Sequence, residues 1–79
     1  MVAEDAFDQL KKMLEVGLRP RLPREKAFIA KVVDMVRSGT LPRALVESTF
    51  LWAKRKKDHP FPHFEHGLRL RARRVGIAL

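Results

Sequence analysis

Apolar side chains recur along this chain at three- and four-residue spacings, interrupted by prolines and glycines that divide it into four stretches. The third, LPRALVESTFLWAKRKK at residues 41–57, is apolar over most of its circumference. Wound at about 100° per residue, it sets Leu41, Leu45, Thr49 and Trp52 on one side, with Val46, Ala53, Phe50 and Leu51 widening the arc. Only a strip of Arg43, Glu47 and Lys54 is left for water. A helix of that kind needs neighbours on several sides, so it is expected at the centre of the fold with Trp52 in the core.

The other stretches predict shorter companions. Residues 3–16 place Phe7, Leu10 and Leu14 on one face, with Glu4, Asp5 and Asp8 where a helix N-terminus favours negative charge. Gly17 is expected to stop that helix in the left-handed conformation, letting Leu18 fold back on Met13. The basic connector RPRLPR leads to a second helix over 23–37, with Pro23 in its first turn, Phe28, Ile29, Val32, Val33 and Val36 inward, and Gly39 as its stop. The tripeptide Leu-Pro-Arg occurs at 22–24 and again at 41–43, and reads as one helix-start device used twice.

Beyond the third helix, Asp58 to Pro60 are expected to leave helical geometry, since a residue preceding proline is pushed to extended angles. Pro62 then opens a fourth helix over 62–74, with Phe61, Phe64, Leu68, Ala72 and Val75 on its apolar side and Gly76 closing it. Ile77 to Leu79 form an apolar tail that tucks back. The fold class expected is all-α: a small four-helix domain, orthogonal or bundle-like, spanning residues 1–79 with the third helix central.

Composition narrows the functional classes. The chain has no cysteine, which removes disulfides, thiolate metal sites and a thiol nucleophile. No apolar run reaches the roughly 20 residues of a membrane span, and the acidic MVAEDAFDQL is unlike a signal peptide, so a cytoplasmic protein is expected. Charge is the outlier, at +8 with histidines neutral. Residues 1–18 carry four acids against two lysines, so residues 19–79 hold a balance of +10. A field of that sign draws polyanions.

The candidate site is therefore a set of cations: Arg19 and Arg21 in the connector, Lys54, Arg55, Lys56 and Lys57 at the end of the third helix, and Arg69, Arg73 and Arg74 in the fourth. Arg69 and Arg73 fall opposite the Phe64 and Leu68 stripe, where guanidinium groups meet phosphate oxygens bidentately. The same cations also complement helix C-termini and keep a small protein soluble. The third helix is too apolar to be a major-groove reading helix, so contact with the nucleic-acid backbone is the expectation. An acidic protein face, or the acidic first helix of a second copy, is the rival partner.

His59, His63 and His66 with Glu65 do not form a convincing metal cage: Glu65 pairs better with Arg69 one turn on, and cations nearby oppose a metal. No cofactor and no metal is expected. Neither Ser38 nor Ser48 stands in a frame with a histidine and a carboxylate, and there is no phosphate-cradling glycine loop, so the chain reads as non-enzymatic. Leu70, away from the main apolar stripe, is expected to pack inside the monomer.

Overall fold

The computed structural model describes residues 2–56 and 58–79, with side chains described from Ala6 onward. Lys57 and the side chains of Ala3, Glu4 and Asp5 lie outside them. Four helices follow one another, α1 (Val2–Leu18), α2 (Pro23–Arg37), α3 (Arg43–Lys54) and α4 (Pro60–Arg74), and the described residues include no strand. This is the all-α, bundle-like arrangement that the spacing predicts. α3 packs most extensively on α4 and also lies on α1, while α1 reaches all three of the others.

The core takes one stripe from each helix: Leu10, Leu14 and Leu18 from α1, the five predicted residues from α2, Val46, Phe50 and Ala53 from α3, and Phe61, Phe64, Leu68 and Ala72 from α4. Each large buried side chain contributes about 1.5–3 kcal/mol relative to exposure, which offsets the low propensity of the valine-rich α2. Phe28 links α2 to α4 through edge-to-face contacts with Phe61 and Phe64, at centroid separations of 5.9 and 6.3 Å. Leu41, just before α3, is also buried in the core.

Helix endings separate two uses of glycine. After α2, Gly39 has φ +80°, the Thr40 N–H donates to the Met35 carbonyl and the Gly39 N–H to the Val36 carbonyl. After α4, Gly76 repeats the arrangement, with the Ile77 N–H on Ala72 and its own on Arg73. Both are Schellman endings. α1 departs from expectation: Gly17 is helical, and the left-handed residue is Arg19, at φ 52°, whose N–H donates to the Glu15 carbonyl. The reason is steric. A Cβ on Gly17 would lie 2.4 Å from the Phe50 ring, so this glycine makes room for α3 instead of turning the chain.

Further expectations are corrected. α4 begins at Pro60, not Pro62, because both prolines fit a first turn whose N–H groups have no intrahelical partner anyway. α3 spans less than 41–57; Pro42 is its N-cap and Arg55 its C-cap, ahead of the like charges and the proline beyond them. Trp52 is 36% exposed and Leu51 60% exposed, so neither belongs to the core. Buried Thr49 holds the inward position one turn earlier, and the indole lies close enough to α4 that a Cβ on Gly67 would come within 2.9 Å of it. Leu70 and Val75 are likewise exposed, Val75 because it caps α4 beyond its last turn, whereas Ile77 and Leu79 do tuck against the core.

Gly17→Ala adds the better helix former but forces a methyl into a buried ring. The clash outweighs the propensity gain of about 1 kcal/mol, and urea denaturation is expected to show a net loss of roughly 1–2 kcal/mol. An unchanged or raised midpoint would mean that Phe50 yields freely.

Candidate functional site

The connector between α1 and α2 is held by one carboxylate. Glu25, in the first turn of α2, accepts from the Arg21 N–H at 2.7 Å and the Leu22 N–H at 3.3 Å. This is the acidic half of a capping box; the Leu22 side chain has no oxygen to complete it. The Arg21 N–H bond is the main reason that the Glu25 carboxyl sits below its ordinary value of 4.5, with the Leu22 N–H and the charges of Arg24 and Arg21 acting in the same direction against desolvation. Arg19 and Arg21 thus leave a connector with a defined course, and both are exposed.

That course brings them to the end of α3. Arg19, Arg21, Lys54 and Lys56 line one cleft of about 670 Å³, with Phe50 and Phe61 among its apolar walls. His59 adds a titratable group, and Glu25 and Asp58 are the acids. With Glu25 committed to backbone N–H groups, cations dominate. Val16, 72% exposed, and Leu51 also line the cleft, which is therefore amphipathic.

The remaining candidates are placed elsewhere. Arg55 is exposed but does not line the cleft, and Lys57 lies outside the described residues. Arg69 is engaged in holding the fold: its guanidinium lies 5.0 Å from the Phe28 ring centroid, meets Glu65 at 3.1 Å as the i, i+4 spacing predicts, and donates to the Leu79 carbonyl. Arg73 lines a separate depression with Arg69 and the C-terminal tail. Arg73 and Arg74 are exposed near the far end of α4, about 20 Å along the helix from Pro60 at 1.5 Å per residue.

A second cluster brings cations of the basic set, Lys56 and Arg71, onto Trp52. The Trp52 ring has the Lys56 ammonium 5.2 Å from its centroid and the Arg71 guanidinium at 5.5 Å, with His63 edge-on at 6.1 Å. Arg71 also donates to the Thr49 hydroxyl at 2.8 Å, and that hydroxyl in turn donates to the Leu45 carbonyl. The spacing of four between Trp52 and Lys56, just past the C-cap of α3, is a legible signal; the Arg71 bond to Thr49 joins residues that nothing local pairs.

No protein family, curated protein or solved structure matches this chain. The site rests on its own geometry.

Glu25→Ala is expected to loosen the connector, at a cost of a few tenths to about 1 kcal/mol at neutral pH, as for an exposed helix-start contact. Because the folded carboxyl is more acidic than the unfolded one, its contribution is present above the ordinary value of 4.5 and lost as the pH falls through the lower, folded value. Denaturation midpoints of the variant and the parent should converge in that acidic range; a gap that persists there would mean that the loss does not come from the ionised carboxylate, since alanine is the better helix former.

Proposed function

We propose that this protein is a non-enzymatic binding module for polyanions, acting in the cytoplasm on the nucleic-acid backbone through Arg19, Arg21, Lys54 and Lys56. The observation that carries this reading is the convergence of connector and α3 cations on one cleft, where the only other charged walls among the described residues are Glu25 and Asp58. Arg55, Arg73 and Arg74 add exposed positive charge that attracts the same ligand at longer range. Arg69 is assigned to the fold.

A second reading draws on the exposed Val16 and Leu51 beside those cations: an acidic, partly apolar protein surface, including that of another copy, fits the same cleft. No helix among the described residues is long and apolar enough to cross a membrane.

Oligonucleotide titrations over a salt series decide between them. Binding is expected to weaken linearly in log–log form as salt rises, and each of Arg21→Ala and Lys54→Ala should lower the slope by about one phosphate contact. Arg19→Gly is the most informative variant, since it removes a cation while relieving a left-handed non-glycine residue: stability should hold or rise as affinity falls. Arg69→Ala should do the reverse, costing stability and leaving affinity nearly unchanged. Absence of binding at low salt, together with concentration-dependent sedimentation that Leu51→Ser abolishes, would replace the first reading with the second.

A further inference from the structure

We infer that Trp52 is a stacking platform for an unpaired base, which makes single-stranded nucleic acid the preferred ligand of the surface proposed above and rests on that proposal. A tryptophan on a helix packed between two others normally contributes its large area to the core, yet this one, in the last turn of α3, remains 36% exposed while smaller Thr49 is fully buried one turn earlier. Its position is set from several directions. The absent side chain of Gly67 lets the ring approach α4, His63 meets it edge-on, and Arg71, anchored on Thr49, holds a guanidinium over it as a cation–π partner. An oriented, partly open aromatic surface with flanking cations is the arrangement on which successive bases stack while phosphates are neutralised.

Lys56 connects this platform to the cleft, since it lines the cleft and also lies over the indole. It forms no ion pair with a carboxylate among the described residues. When a base arrives, the flexible lysine moves from the ring to a neighbouring phosphate and the base takes its place on the indole. Arg71 uses one of its five N–H donors on Thr49, leaving others for the strand. A backbone held at Arg19, Arg21 and Lys54 therefore continues past Lys56 onto Trp52. Duplex bases, already stacked on one another, have no free face to offer it.

The chain has one tryptophan and no tyrosine, so its emission reports on this ring alone. The full chain is titrated at low salt with an oligothymidylate of about 12 nucleotides, a duplex of equal length, and polyphosphate, which has charge without bases. Calorimetry measures binding in every case. The single strand is expected to quench Trp52 strongly and bind most tightly, whereas the duplex and polyphosphate bind without strong quenching. Trp52→Leu should lose on the order of 10-fold in affinity for the single strand and nothing for polyphosphate, while Val75→Ala, at an exposed apolar residue that caps α4 outside the cleft, should preserve the single-strand preference. Equal affinity for all three ligands, or single-strand binding without quenching, overturns the stacking assignment and leaves the polyanion proposal standing. Failure of all three to bind removes both. Should Trp52→Leu lose its helical circular dichroism, quenching and ligand preference in the unaltered chain decide alone.

Discussion

The close approach of α3 to its neighbours controls both the packing of this protein and the placement of its charges. On one side the Phe50 ring occupies the space where Gly17 lacks a side chain, and on the other Trp52 lies over Gly67. Interiors packed near crystal density leave little slack, so room for a ring has to be provided by the partner helix. With α3 seated this way, its last turn comes to rest near the α1–α2 connector, which is why cations more than thirty residues apart share one cleft.

The distribution of charge has the same origin. Guanidinium and ammonium groups have to remain solvated or find partners, and the chain uses both solutions. Arg69 and Arg71 cover aromatic rings and bind carbonyl, carboxylate or hydroxyl oxygens, while Arg19, Arg21 and Lys54 remain open to water. A strongly basic composition thus conceals two populations. One ties helices together, and the other is available to a ligand.

Local chemistry makes much of the fold legible. Gly39 and Gly76 end their helices through a backbone torsion whose signature is short-range, and the inward face of α2 follows from its own spacing. Gly17 is deceptive because a glycine that creates room looks, in sequence, like one that turns the chain. Trp52 is deceptive for another reason: the apolar arc of α3 is wider than its neighbours can cover, and the choice of which residues stay outside depends on Gly67, fifteen positions later. The cationic blocks are visible from composition, but the meeting of connector with α3 and the diversion of Arg69 onto Phe28 are products of tertiary packing.

Among the described residues, the seam between α3 and α4 holds one side-chain hydrogen bond among many apolar contacts. Apolar surfaces tolerate small slides, since dispersion and water exclusion change gradually as side chains shift. The bond from Arg71 to the buried Thr49 hydroxyl does not: displacement by one residue advances a helix about 1.5 Å and rotates it by roughly a quarter turn, which carries the donor out of reach. A single polar pin therefore selects one register for an otherwise greasy hairpin, and the indole beside it inherits a fixed address.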